Sequence, residues 1–458
     1  MAAHESWWTA FGRVPLALAI VGGFAWVGYV VHGKLHKNPR PPDLVFSLAS
    51  ISQAASHRPA IENFERLHNV KVQVVITPLR TSVSRLKAAI DSGENVPDLV
   101  ALVEPNLGQF TKGRAEDIPF VDLTDRVDQM DLRHRMVASR FTMWTRGGRI
   151  YAIPRDVHPT GLAYRTDIAE QYGIHPETFT TWDRFAEEGR SLRARRRAQG
   201  ESEVFLMHLE AQNSLGLPPL ILQAGGRLIE ENGTVRLDDP ITQKVVAFFA
   251  EGIAGAEPFI VDAGVGQSFS RSLVEGRVVF FLCPDWFAKT LELQLVPELR
   301  GKFRLIPLPA WTNGGRRTTT IGGSGFAITK HCENPDLAWE LIKAISLDPA
   351  NTAREFPGTY VTPCFRDAWS AEELQRPNPY FSGQPIGKFF QELAPDIPEN
   401  ASHQYETTAR TQLADALQII LERIRADRTR STSAIIAEEL HRAAETTRLL
   451  SGRNRLTP

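Results

Sequence analysis

FLCPDWF, Phe281 to Phe287, sets a cysteine, an aspartate and a tryptophan within four residues, directly behind VEGRVV, an apolar run that reads as a strand. Three chemistries suit these side chains: a reactive thiol, a metal site, or an aromatic platform for a bound molecule. A catalytic Cys283 needs a histidine and an orienting partner, which no local spacing supplies. The three cysteines, Cys283, Cys332 and Cys364, are far apart and form no CxxC pair, which argues against structural zinc and a disulfide framework. A single disulfide stays open. Cys283 is expected as a small buried thiol, and Trp286 as a flat apolar face for the C–H side of a sugar ring. The plainer reading of Trp286 is a core tryptophan.

Two further segments follow strand ends. RDVHPT offers Asp156, and the stretch after PDLVALV offers Glu104, carboxylates able to accept paired hydroxyls. A turn aspartate is the plainer reading of Asp156. Metal-hydrolase signatures are missing: no HExxH occurs, and His158 and His208 read as isolated, structural or exposed. No GxxxxGK[ST] occurs, and GGSG at 322–325 lies inside an apolar strand pattern, where a dinucleotide fingerprint needs a strand-to-helix turn. These glycines mark a close backbone approach, to a neighbouring strand or to a ligand. No cofactor and no metal are expected.

The elements that must hold these residues come from a chain of 458 residues, 42% hydrophobic and 23% charged, enough for two or three domains. A net charge of −1 with mixed signs leaves no nucleic-acid footprint. The basic cluster RSLRARRRAQG, Arg190 to Gly200, reads as a solvated helix end. After a flank of residues 1–13, Val14–Val31 is an unbroken apolar run, a signal segment or, better, an uncleaved anchor in the lipid bilayer. Lys34, Lys37 and Arg40 follow it against Arg13 before it, a balance that by itself favours a cytoplasmic carboxyl side. Export is expected from the rest of the chain. Residues 32–42 form a polar, proline-stiffened linker.

Strand DLVFSLA, helix PAIENFERLH, strand VKVQVVIT, helix VSRLKAAIDSG and strand PDLVALV then alternate with short connections, which predicts a parallel sheet covered by helices. Ligands gather at the carboxyl ends of such strands. YAIP and GLAYR are short strands, a helix is predicted from Thr180 or Thr181 as cap, and RVVFFL and FRLIPLP are apolar strands. TTTIGGSGFAIT is a glycine-broken strand, NPDLAWELIKAISL a helix capped by Asn334, and two helices centred on LADALQIILERI and IIAEELHRAAETTRLL close the chain.

In this order the opening strand and FER helix, VPDLVAL, YAIPRDVHPTGLAYRTDIAEQYGI with its following P and TW, LVEGRVVFFLCPDWF, IGGSGFAITKHCENPDLAWELIKAI and FPGTYVTPCF resemble the extracellular solute-binding proteins of sugar ABC importers, the group that contains maltose- and lactose-binding proteins. The resemblance covers nearly all of residues 43–450. It implies an α/β, two-lobe periplasmic-binding-protein fold of type II that closes by hinge bending around a sugar. Lobe 1 is expected as residues 43–157 plus about 315–365, and lobe 2 as about 158–314 plus 366–458.

The same resemblance implies that Trp286 stacks on the sugar, Asp156 accepts its hydroxyls, and Val103 and Glu104 line the rim. It carries Gly322, Gly323, Ser324 and Gly325 under the cleft and places Tyr360 near it on an FPGTY turn. Family blocks usually read GPW where this chain has CPDW, so Asp285 stands beside the platform. After the first strand SISQAAS lacks the aromatic or charged residue often found there in the family, and Ser50 and Gln53 are the ligand-binding candidates in its place. The expected function is non-catalytic: an exported or tethered protein that binds a carbohydrate and delivers it to the permease subunits of an ABC importer. The rivals are a tethered glycan-processing enzyme using two acidic residues, and a ligand-sensor subunit.

Overall fold

The computed structural model describes residues 41–453 apart from 105, 112, 113, 201, 202 and 211–215. The apolar run Val14–Val31 lies outside the described residues, and among them no helix is long and apolar enough to cross a membrane.

The first sheet is built from β1 (Leu44–Leu48), β2 (Val72–Ile76) and β3 (Leu99–Val103), after which a small hairpin, β4 (Thr145–Arg146) and β5 (Arg149–Ile150), leads to β6 (Ile153–Pro154). The second sheet takes β7 (Thr160–Arg165), β8 (Phe205–Leu209), β9 (Ile260–Asp262), β10 (Val278–Pro284) and β11 (Phe303–Pro307), and β12 (Ser324–Ile328) then returns to the first. The orders are β2-β1-β3-β12-β6 and β11-β7-β10-β8-β9. The first three strands pair in parallel as their spacing predicts, while β12 joins β3 and β6 antiparallel. Each sheet has its own core: Phe46, Phe326 and Leu341 belong to the first, Phe185, Phe249 and Phe280 to the second.

The lobes are joined by segments lying side by side. Isolated bridges pair Asp156 with Pro363 and Pro159 with Thr320, so residues 155–159, 318–323 and 361–364 cross together. TTTIGG is therefore a crossing segment, and regular pairing starts only at Ser324. The glycines answer to side chains: a Cβ on Gly325 would stand 2.8 Å from the Trp144 ring, and one on Gly323 would strike the Arg140 guanidinium. Gly322 has φ +96°, a left-handed backbone that L side chains rarely adopt.

Two helices differ from the sequence expectation. The first begins at Ile51, eight residues before PAIENFERLH, because Ser50 accepts the Gln53 N–H at 3.2 Å while Gln53 Oε1 accepts the Ala49 N–H at 3.0 Å. This reciprocal cap lets the helix run through Pro59. FPGTY is the end of the helix Pro349–Thr359, capped by Asp348 at its start, and Tyr360 is its left-handed terminus at φ 57°. Asn334, Thr181 and Gly93 terminate helices as predicted. The cluster Arg190 to Gly200 is a helix end whose arginines pair with Glu188, Glu203 and Glu257.

Candidate functional site

A cavity of about 570 Å³ lies between the two sheets, lined by both lobes. The amino end of the helix Ile51–His68, the carboxyl end of β3 and the segment Thr320–Ser324 form one wall. The helices Leu217–Gln223, Asp285–Thr290 and Glu406–Ala426 form the other. Ser50, Gln53, Glu104, Asp156, Trp286, Gly322, Gly323 and Ser324 all line it. Asp285 and Tyr360, expected at the ligand, lie behind its wall.

Asp285 is wholly buried because three donors surround it. It starts the helix Asp285–Thr290, so Oδ1 meets the Trp286 N–H at 2.6 Å, and it also accepts from His158 Nδ1 at 2.7 Å. Oδ2 accepts the Thr362 N–H of a crossing segment at 2.6 Å. Asp285 thus fastens β10 to the hinge. Tyr360 is buried in the core under the same helix, where its hydroxyl donates to Glu292 at 2.5 Å; burial and that carboxylate push its pKa up.

His158, which reads as isolated in sequence, sits between two carboxylates, with Nδ1 2.7 Å from Asp285 and Nε2 3.3 Å from Asp156. Burial alone would lower its pKa from 6.5, but Asp156 and Asp285 outweigh it and hold it up at about 9. Burial would raise the Asp156 carboxyl, yet protonated His158, Arg155 and Ser324 hold it well below the usual carboxylate range. Ser324 donates both its N–H, at 2.7 Å, and its hydroxyl to Asp156. Arg155 carries the chain on to Glu355 at 3.0 Å, and Glu355 meets His57 at 2.5 Å. The run His57–Glu355–Arg155–Asp156–His158–Asp285 links the first helix of lobe 1 to the Trp286 helix of lobe 2.

This predicts a pH dependence. Between 6.5 and about 9 the folded chain keeps a proton on His158 that the unfolded chain releases, so stability is full below 6.5 and falls as pH rises. The expected loss across that window is about 3 kcal/mol. Denaturant titrations at several pH values, compared with His158→Gln, check it; identical pH slopes for the two proteins would remove the bound proton.

Glu104 spans the cleft. At the end of β3 it accepts from Asn400 Nδ2 at 2.8 Å and from Arg410 Nη2 at 2.7 Å, and Arg410 also holds Glu406 at 3.0 Å. Arg410 lies on the helix Glu406–Ala426, which packs in the lobe 2 core. Burial raises the Glu406 pKa, and although burial would lower that of Arg410, Glu406 and Glu104 keep it raised. The Gly108 N–H donates to Ser402 Oγ at 2.8 Å nearby.

Trp286 is half-buried on the cavity wall, its indole N–H held by the Ile321 carbonyl at 2.9 Å. That bond fixes the plane of the ring against the crossing segment. Cys283 is fully buried, and burial followed by Asp285 pushes its thiol well above the ordinary range; all three cysteines are free.

Sequence reasoning missed Ser52, Ser56, Asn400, Glu406 and Arg410. The serines continue the capped helix upstream of the predicted start, and a legible signal was the S-x-x-Q cap itself. Nothing local marks Arg410, whose partner Glu104 is 306 residues away.

The chain matches the family of bacterial extracellular solute-binding proteins over residues 49–352. It is 25% identical over 314 residues to an arabinooligosaccharide-binding protein of Bacillus subtilis, covering 68% of this chain and 70% of that one. It is 26% identical over 326 residues to a lactose-binding protein of Rhizobium radiobacter, covering 69% and 72%. Among solved structures, the sugar-binding protein MalE from Xanthomonas citri superposes with a TM-score of 0.72 at 17% identity, over 91% of this chain and all of that one. UgpB of Mycobacterium tuberculosis, in complex with glycerophosphocholine, superposes with a TM-score of 0.70 at 18% identity, over 90% and 99%. The structural likenesses concern the fold. With the family matched over about two thirds of its length, this chain belongs to the bacterial extracellular solute-binding proteins.

Proposed function

We propose that the cleft takes a neutral carbohydrate and that the chain hands it to the permease of an ABC importer. The observation that carries this reading is the cavity's charge balance. Arg155, Asp156 and His158 satisfy one another, Glu104 and Glu406 share Arg410, and Lys289 pairs with Glu292 at 3.0 Å. Arg227 donates to the Glu399 carbonyl at 3.3 Å and its charge acts on Glu406. What remains for a ligand is hydroxyls, the side-chain amides of Gln53 and Gln294, backbone and one indole, a set suited to an uncharged polyol. The names of the Bacillus and Rhizobium relatives support the same class.

In this reading Trp286 stacks on a sugar ring, while Ser50, Gln53, Gly322 and Gly323 offer hydrogen bonds and Ser324, whose donors are spent on Asp156, holds that carboxylate in place. Asp156 and Asp285 become positioning residues, because their oxygens are engaged within the protein. The enzyme reading loses support for the same reason: the cavity's carboxylates are held in ion pairs, away from the roles of a general acid and base. Membership of an extracellular family places the chain outside the cytoplasm; anchoring through Val14–Val31 and the lobe limits at 157, 315 and 365 are part of the proposal.

Thermal-shift titration of the full chain with mono- and oligosaccharides tests it. A melting temperature that rises with concentration for one related set of sugars is expected, since a ligand of the folded state alone must stabilise it. Trp286→Ala should then weaken binding by about 1–3 kcal/mol, scaled from aromatic anchors. Calorimetry showing unchanged affinity in a folded variant would take Trp286 out of the site.

A further inference from the structure

Lobe 2 sends an arm onto lobe 1. The helix Ile386–Leu393 packs through Ile386 and Phe390 into a cluster with Phe303 and Leu305 of β11. The helix Glu406–Ala426 packs through Ala409 and Leu413 into the core that holds Phe280. Between these two lobe 2 helices, Ala394 and Ile397 are buried in the other core, with Phe46 and Phe326 of the first sheet. The chain thus leaves lobe 2, sinks two apolar side chains into lobe 1 and returns, apart from the segments that cross at the hinge.

Residues 398–404 carry it back, and 398–403 form neither helix nor strand. Every second residue of this return is bonded to lobe 1. Asn400 Nδ2 donates to Glu104 at 2.8 Å, Ser402 Oγ accepts the Gly108 N–H at 2.8 Å, and the Gln404 carbonyl accepts from Gln109 Nε2 at 2.9 Å. A spacing of two belongs to an extended chain with one side turned to its neighbour. The partners run from Glu104, directly after β3, into the short turn Asn106–Gln109. The fit is close: a Cβ on Gly108 would lie 2.6 Å from the His403 carbonyl carbon, so a side chain there would push the arm away.

The two parts of the arm differ in how easily they let go. Hydrogen bonds at half-buried positions exchange with water at small net cost, whereas Ile397 can leave its core only by exposing apolar surface. The polar row can therefore unzip between anchors that stay put, and a stretch such as 398–404 spans about 23 Å when extended, ample slack for the lobes to part. Glu104 and Asn400 line the cavity, while Gly108, Gln109 and Ser402 lie outside its lining. One end of the row is in the cleft and the other is on its flank.

We propose that residues 398–404 are a latch, which zips onto lobe 1 as the lobes close and must detach before a ligand leaves. The nature of the ligand rests on the carbohydrate reading of the cleft; the latch does not. Gly108, Gln109 and Ser402 then control release without touching the ligand.

The test uses the full chain, the double variant Ser402→Ala with Gln109→Leu, and Gly108→Val. Stopped-flow tryptophan fluorescence with lactose and with arabinotriose reads association and dissociation, and solution scattering reads the radius of gyration without sugar. Dissociation about fivefold faster or more is expected in both variants, with association changed less than about twofold, because the latch forms after encounter. The radius without sugar should rise. Should Gly108→Val fail to fold, the double variant, which removes two bonds at half-buried positions, carries the test. A merely structural role would lower the melting temperature and leave the dissociation rate as it was. Where a sugar binds, an unchanged dissociation rate in a folded variant overturns the latch and leaves the carbohydrate reading standing. If neither sugar binds the intact chain, the carbohydrate reading loses its support and the radius decides: a rise in the variants upholds the latch, and no change overturns it.

Discussion

Asp285→Ala is expected to lower the unfolding free energy by about 3–5 kcal/mol, the range for breaking a buried ion pair from one side. The removed carboxylate faces protonated His158 at 2.7 Å and accepts the Trp286 and Thr362 N–H groups, so a buried cation keeps only Asp156 of its two carboxylates and two backbone donors lose their partner. Asp285→Asn keeps an acceptor but not the charge, and should lose roughly half as much. The loss should be greatest below pH 6.5 and shrink as pH rises toward about 9, where His158 in the intact protein gives up its proton. Denaturant unfolding across that range reads both effects. A loss below about 1 kcal/mol for the alanine variant would mean that Asp285 does not fasten the hinge.

The second large effect is expected at Arg410. Arg410→Ala leaves Glu104 and Glu406, whose side chains are 7% and 10% exposed, without the guanidinium that pairs both, and only the more distant charge of Arg227 still acts on Glu406. Two buried carboxylates in one place cannot both stay ionised at ordinary expense, and a loss of about 3–5 kcal/mol follows. The sign has a built-in check: the double variant Arg410→Ala with Glu104→Gln should recover part of the loss, because it removes one of the two orphaned charges. Strict additivity of the two substitutions would refute the shared pairing. Because Glu104 directly follows β3 and Arg410 stands on a lobe 2 helix, the variant should also open more readily without ligand, visible as a larger radius of gyration in solution scattering.

Much of the scaffold around these residues is written in local pattern. LVFSL shows the alternating burial of a half-covered strand, Asn334 stands before Pro335 as a helix cap requires, and Gly93 ends its helix at φ 71°. Such signals depend on neighbours within a turn or a strand, where the physics is short-ranged. The first helix shows how local reading also errs. Pro59 looks like a start, yet a serine cap nine residues earlier outweighs one missing hydrogen bond. Tyr360 errs the other way: FPGTY has turn composition, but Asp348 caps a helix that absorbs it, and the tyrosine ends in core.

Motif order and residue type alone determined the alternation of strands and helices, the glycine-broken crossing segment, Trp286 at a strand end and the family to which these belong. The tertiary structure decided which of the singled-out side chains face the cavity and which only hold its walls. His158 and Asp285 are 127 residues apart, and Glu104 and Arg410 are 306 apart. An acid and a base become partners only when the folding of other segments excludes water between them, and that desolvation leaves no trace in the spacing along the chain.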